Sequence, residues 1–300
     1  MMEYCLTPSD DIQAVIDRLP VAEPAKIRLA AGYYRQKLRI CHESLEIVGV
    51  GRNQTVVAFD DYNFRIHPDG KLFNTFRTPT VLVVADHVAF TDLTIANIAG
   101  QGPEIGQAVA LSVIGDDFRM DRCALLGYQD TLFCGPLPFD LTVRYQNFLP
   151  LEELHVRPSQ QLYQNTRIEG TVDFIFGSAT ALFDHCEIVV LGPGYVTAPS
   201  TPSEQPYGLI FRNCLIRNES AAEVYLGRPW REGGSTLFLD CTFTGPIHPD
   251  RYHDWEKKVF RFRENPLFPS PLSRSMTEEE TERLKHFLAE RFQPLRMKKS

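Results

Sequence analysis

Leu182-Phe183-Asp184-His185-Cys186-Glu187-Ile188 is the stretch on which the fold turns, because the chain repeats it. Leu209-Ile210-Phe211-Arg212-Asn213-Cys214-Leu215-Ile216 and Leu237-Phe238-Leu239-Asp240-Cys241-Thr242-Phe243 carry the same phrase. Phe118-Arg119-Met120-Asp121-Arg122-Cys123-Ala124-Leu125 is a close version. In each, a short apolar stretch leads to a nearby Asp or Asn, then Cys, one residue, and another apolar residue. Val88 to Ile95 and Leu162 to Ile168 are variants with Leu93 or Thr166 in the cysteine place.

That place recurs at 93, 123, 166, 186, 214 and 241, in steps of 30, 43, 20, 28 and 27 residues. Short strands and polar bends at such intervals suggest successive coils of a solenoid. Alternation within each strand sends every second residue inward, where coils stack their side chains. A β-sandwich also has many short strands, but it does not explain Cys recurring in the same place. The spacing therefore favours a β-solenoid. The 43-residue step holds Gly135-Pro136-Leu137-Pro138 and Pro150 to Pro158. It reads as a long excursion from the stack, over roughly 134–160, of the kind that often lines a site.

Both ends look helical. Ile12, Val15, Ile16 and Leu19 lie on one helical face before Pro20, which predicts a helix over about 10–19 capping the open end of the stack. Thr277-Glu278-Glu279-Glu280 has capping-box form, and Leu284, Phe287, Leu288 and Phe292 roughly follow helical spacing. An extended linker and a C-terminal helix are expected over about 264–293. Residues 1–300 read as a single domain.

Composition narrows the function. Hydrophobic residues make up 43% of the 300, enough for a sizeable core, yet no apolar run reaches the length of a membrane span. Net charge is −7 and the one basic run is the tail Arg296-Met297-Lys298-Lys299, which argues against nucleic acid as a partner. The start of the chain lacks a basic region followed by an apolar one, so no secretory signal is expected. Seven cysteines, an odd number with no CxxC pair, suit a reducing compartment and a cytoplasmic protein. The eight histidines are dispersed, and no metal site is expected.

Four clusters could carry chemistry. They are Gly106-Gln107-Ala108-Val109-Ala110-Leu111, Gly127-Tyr128-Gln129-Asp130-Thr131-Leu132-Phe133, Gly170-Thr171-Val172-Asp173-Phe174-Ile175-Phe176-Gly177, and Leu226-Gly227-Arg228-Pro229-Trp230. Strict alternation would put Asp173 on one face with Ile175, and Val172, Phe174 and Phe176 on the other. A carboxylate amid so much apolar surface is costly unless paired or hydrogen-bonded. Residues alone leave open a structural Asp held by amides or an Arg. Asp130 in Gln-Asp-Thr is equally plausible turn chemistry, and Gln107 could face solvent. Arg228 and Trp230 suit a sugar acid, the guanidinium holding a carboxylate and the indole covering a ring. A core Trp with a snorkelling Arg is the plainer alternative.

Taken together, and in this order, the four clusters resemble those of the pectin methylesterases. Gly32-Tyr33-Tyr34-Arg35-Gln36-Lys37, Asp60-Asp61-Tyr62 and Tyr195-Val196-Thr197-Ala198-Pro199 extend the likeness over about residues 10 to 255. The resemblance implies an all-β fold, a right-handed single-stranded parallel β-helix. It also implies hydrolysis of methyl esters of galacturonan or its oligomers without a cofactor; a monomer is expected. Asp173 would be the nucleophile and Asp130 the general acid and base. Gln107 and Gln129 would donate to the oxyanion, and Arg228 would keep Asp173 ionised. Trp230, Arg228, Thr75, Phe133 and Phe174 would contact substrate.

The chain departs from the family at Gln160-Gln161-Leu162-Tyr163, where Arg-Gln is usual, in the 43-residue step between the two aspartates, and after residue 255. These differences bear on cleft shape and on the length of substrate preferred. Two other readings remain: a β-helix hydrolase or lyase acting on glycosidic bonds, and a pectin-binding solenoid without activity. The expected cytoplasmic setting makes short methylated fragments the preferred substrate.

Overall fold

The structure, a computed structural model, describes residues 1–20 and 23–292. The basic tail and residue 293, the expected end of the C-terminal helix, lie outside the described residues.

Each coil turns at one residue in the left-handed backbone region. Asp92, Arg122, Asn165, His185, Asn213 and Asp240 have φ between 49° and 57°, and each directly precedes one of the recurring positions 93 to 241. Asn, Asp and His tolerate this region better than most side chains, which explains the polar residue before the cysteine; Arg122 is the exception. The next side chain then points inward. Leu93, Cys123, Thr166, Cys186 and Cys214 are buried, and Cys241 is half-buried at the last repeat. Their thiols donate to carbonyls of the preceding coil: Cys186 to Tyr163 O at 3.3 Å, Cys214 to Phe183 O at 3.2 Å and Cys241 to Phe211 O at 3.5 Å. A small, apolar, weakly donating side chain fits that place.

The strands stack in parallel register. Eleven of them, from Met2–Leu6 to Ser273–Arg274, form one sheet along the stack. A second sheet holds two runs, one through Val81–Val83, Leu111–Val113 and Leu132–Cys134, the other through Thr55–Phe59, Thr94–Asn97 and Ala124–Leu126. The long strand Arg167–Gly177 joins them, pairing its first half with Ala124–Leu126 and its second with Leu132–Cys134. The result is a parallel β-helix. Inside it, Tyr163, Phe183, Phe211 and Phe238 stack at 4.8, 4.5 and 4.7 Å between ring centroids. Each such pair adds about 0.5–1.5 kcal/mol beyond the area it buries.

Three α-helices among the described residues decorate the stack. The first, α1 (Ile12–Ile16), is shorter than the expected 10–19; Asp11 caps it by accepting from Ala14 N, and Ile12 and Ile16 are buried. The second, α2 (Phe139–Tyr145), lies in the excursion. Leu137, Leu141 and Leu149 of that excursion pack with Val109, Phe133 and Phe176. The neighbouring Leu132, Cys134 and Ile175 belong to the interior cluster instead, so the excursion covers the outer face of these strands. Arg39 pairs with Glu152 and Glu153, Arg157 with Asp86, and Arg231 with Asp140. The third, α3 (Glu278–Arg291), has both halves of the capping box at Thr277 and Glu280. Its Leu284 and Leu288 pack on Leu162, Leu182, Ile210 and Leu237, covering the outer face of the eleven-stranded sheet. Among the described residues no helix is long and apolar enough to cross a membrane.

Candidate active site

Strand register brings the two aspartates together. Leu132 pairs with Ile175, so Asp130 and Asp173, each two residues earlier, occupy the same place in successive coils. Asp130 N–H donates to Val172 O at 3.0 Å, joining the two segments. Both aspartates are left-handed, with φ of 64° and 50°.

This conformation overturns the alternation expected around Asp173. The pairing of Arg167–Gly177 with Glu187–Pro199 shifts register between Gly170 and Val172 and again between Val172 and Ile175. Across that irregularity Phe174 and Ile175 both turn into the core, while Phe176 packs outside. Asp173 therefore does not share a face with Ile175; the bulge re-aims its carboxylate. Gly170 permits it, since a Cβ there would lie 2.2 Å from Phe174 Cβ.

Arg228, two coils on, meets Asp173 in a bidentate pair: Nε donates to Oδ1 at 2.9 Å and Nη2 to Oδ2 at 2.7 Å. Its guanidinium carbon lies 3.9 Å from the Tyr195 ring centroid and 3.7 Å from that of Trp255. Asp130 makes no hydrogen bond or ion pair through its carboxyl to another described residue. Burial raises the pKa of both groups. For Asp173 the hydrogen bonds and charge of Arg228 oppose that rise. For Asp130 the charge of Asp173 adds to it, and Arg228 offsets only part, leaving the group well above the ordinary carboxylate range. The pair titrates as a unit in which Asp173 is the easier to ionise.

Gln107 and Gln129 line a cleft of about 410 Å³ with Phe64, Pro103, Thr171, Val172 and Pro193. Neither side-chain amide is held by another described residue, so both are free to donate. Trp230 is half-exposed, its ring edge-on to Phe176 at 5.7 Å and beside the Arg231 guanidinium at 4.7 Å. Thr75 begins a short 3-10 turn before Val81–Val83, two coils ahead of Asp130. Phe133 and Phe174 require correction. Both are fully buried at 0% exposure and reach no ligand; Phe133 supports Phe76 and Phe176, and Phe174 fills the core. A larger cleft of about 920 Å³ lies between α1 and the excursion. Asp130 and Asp173 line neither cleft, but the smaller one is bordered by their neighbours Gln129 and Val172. The cations of the larger are taken: Lys37 by Asp61, Arg39 by Glu152 and Glu153, Arg77 by Asp69.

Sequence reasoning missed Trp255 and Tyr195 as site residues. Tyr195 sat within a noted phrase, and Trp255 is one of only two tryptophans. Nothing local, however, places either ring against Arg228.

Fold and site define a parallel β-helix bearing an ion-paired and an unpaired carboxyl in successive coils. The pectinesterase family model matches residues 8–136 and 144–265, and the chain belongs to that family. It is 33% identical over 239 residues, or 77% of its length, to the probable pectinesterase/pectinesterase inhibitor 16 of Arabidopsis thaliana, covering 40% of that protein. It is 30% identical over 263 residues to pectinesterase 31 of the same plant, covering 84% of this chain and 74% of the relative. The chain spans about two fifths of the length of the first curated relatives it matches. Among solved structures, pectin methylesterase PemA from Erwinia chrysanthemi superposes with a TM-score of 0.72 at 25% identity, over 94% of this chain and 95% of that one. The carrot pectin methylesterase superposes at 0.76 with 23% identity, over 97% and 96%. A pectin methylesterase in complex with a hexasaccharide superposes at 0.73 with 26% identity, over 90% of each chain.

Proposed function

We propose that the chain hydrolyses methyl esters of galacturonan, with Asp173 as nucleophile and Asp130 as general acid and base. The observation that carries this is the unequal pair: two stacked carboxyls, one held by a bidentate Arg228, the other buried without a cation. Carboxyls raised to unequal extents by their surroundings, Asp130 the further because no hydrogen-bonded cation opposes the rise, supply a base-form nucleophile and a protonated acid in one site.

The steps follow from that inequality. Asp173, ionised and fixed by Arg228, attacks the ester carbonyl carbon. Negative charge moves to the carbonyl oxygen, where the amides of Gln107 and Gln129 donate. As the C–O bond breaks, Asp130 gives its proton to the departing methoxide and methanol leaves, with the acyl group on Asp173. Water then attacks that acyl carbon while Asp130, now ionised, takes its proton. The galacturonic acid leaves, releasing its proton to solvent, and Asp173 is restored as the carboxylate. Half-exposed Trp230, two residues after Arg228, offers a face for the sugar ring.

We also propose a reducing compartment and a preference for short methylated fragments. Seven free thiols, the inner ones packed as small apolar donors, support the first. The excursion over the outer sheet face beside Trp230 supports the second. The deciding measurement is methanol release from highly methylated galacturonan by the full chain across pH. Reducing ends or unsaturated products without methanol would overturn the esterase in favour of glycosidic cleavage.

A further inference from the structure

Two aromatic rings lie within 4 Å of the Arg228 guanidinium carbon, Trp255 at 3.7 Å and Tyr195 at 3.9 Å. Rings that close cannot share one face of a planar group, so the guanidinium is sandwiched. The arrangement uses Arg228 in two perpendicular directions. Its edge donates Nε–H and Nη2–H to Asp173 in the plane, while its faces meet the π clouds above and below. Cation–π contact therefore fixes the plane without competing for the donors that Asp173 needs.

Both rings are themselves held. Tyr195 stacks on Tyr225 at 5.3 Å, and Tyr225 stacks on His248 at 4.0 Å. Trp255 sits in a turn docked on the coil of Arg228: His253 N–H donates to Gly227 O at 3.1 Å, and Trp255 N–H to His253 Nδ1 at 3.0 Å. Lys257 Nζ donates to Trp255 O at 3.1 Å. Trp255 and Glu256 have φ of 47° and 58°. A left-handed bulky residue is costly, and two in succession persist only where the surroundings impose them. Of the two rings, Trp255 is the one whose backbone is strained to bring it there.

We infer that Trp255 is a positioning residue that, with Tyr195, clamps the Arg228 guanidinium in the plane of the Asp173 carboxylate. The inference rests on the proposed esterase chemistry for its kinetic consequence alone. Without the clamp Arg228 swings, and the carboxylate loses part of its charge compensation and its fixed direction. The charged groups facing Asp173 are Asp130 from the coil before and Arg228 from the coils after. His253 lies edge-on to Tyr195 and Tyr225, His248 lies near Asp250, and Lys257 is 5.7 Å from the Trp255 ring.

The test compares wild type with Trp255→Leu, Trp255→Phe and Trp255→Ala in the full chain. It reads kcat and KM for methanol release across pH, and the Asp173 pKa by carboxyl carbon NMR. Leu keeps apolar bulk without a π face, and melting temperatures report whether each variant folds. The expected result is a kcat loss on the order of tenfold for Leu and Ala, the rate equivalent of a strong cation–π contact. KM should hold, the acid limb should move to higher pH with the Asp173 pKa, and Phe should recover most of the loss. A Leu variant matching wild type in kcat and acid limb overturns the clamp. So does a rise in KM with both of those unchanged, which would make Trp255 a sugar contact. If wild type releases no methanol the esterase reading fails, while the Asp173 pKa in wild type and Trp255→Leu still decides the clamp.

Discussion

Asp130 and Asp173 stand one above the other in successive coils, yet only Asp173 has a cation within hydrogen-bonding distance. The 43 residues between them are one coil with an excursion inserted, so their long separation in sequence is a short one in space. The excursion leaves and rejoins the stack after Asp130 and before Asp173, which adds chain without disturbing the register of the pair.

The inequality sets a pH profile. The proposed mechanism needs Asp173 ionised and Asp130 protonated at the first step, so kcat/KM should be bell-shaped. Burial raises Asp173 despite Arg228, which puts the acid limb above the free carboxylate value of about 3.9. Burial and the Asp173 charge raise Asp130 well above the ordinary carboxylate range, which puts the basic limb higher still. An acid limb at the free carboxylate value would mean that Asp173 is solvated in the working enzyme.

Asp130 should also weaken the fold. Its folded pKa lies above its unfolded one, so folding binds a proton. Stability is then full below the unfolded pKa and falls as pH rises toward the folded one, by about 1.4 kcal/mol for each unit of difference. Asp130→Asn removes the titration. It should melt higher than wild type at pH 7 to 8, with the gap closing near pH 4, and lose nearly all methanol release. Thermal melts at both pH values check it; a variant less stable at pH 8 contradicts the sign.

The coil repeat was legible because its cause is local: one left-handed residue, then a small inward donor, as at Asn213-Cys214 and His185-Cys186. The stacked carboxyls were legible as motifs. Their geometry was not, because the left-handed Asp173 breaks the alternation on which a strand reading depends. Phe133 and Phe174 failed for the same reason: proximity in sequence to an active aspartate says nothing about which way a ring turns. Trp255 was out of reach, since its contact with Arg228 depends on where a turn 27 residues later docks. The shortness of α1 reflects the limit of periodicity, which marks a face at Ile12, Val15, Ile16 and Leu19 without fixing where the backbone stops.

Gln107 and Gln129 give a prediction about rate rather than binding. Their amides are unclaimed and border one cleft, and the proposed mechanism has them stabilise charge that exists only after attack. Replacing either with Ala should lower kcat by about 10²–10³, with KM nearly unchanged. A comparable rise in KM with kcat unchanged, measured on a methylated trimer, would make them ground-state sugar contacts instead.

The excursion should decide substrate length. Its apolar residues fill the outer face around Phe133 and Phe176, next to Trp230, and Asp140 of α2 ties it to Arg231 at 2.8 Å. If that packing restricts a long chain passing beside Trp230, as the proposed fragment preference requires, a methylated trimer should turn over faster than polymer at equal ester concentration. The Asp140–Arg231 pair is solvent-accessible, its side chains 59% and 32% exposed, so breaking it costs about 0–1 kcal/mol. Asp140→Ala should consequently leave the melting temperature almost unmoved, while loosening α2 and narrowing the ratio of trimer to polymer turnover. Faster turnover of polymer by wild type would show that the groove runs clear of the excursion, and would remove the structural support for a fragment-processing enzyme.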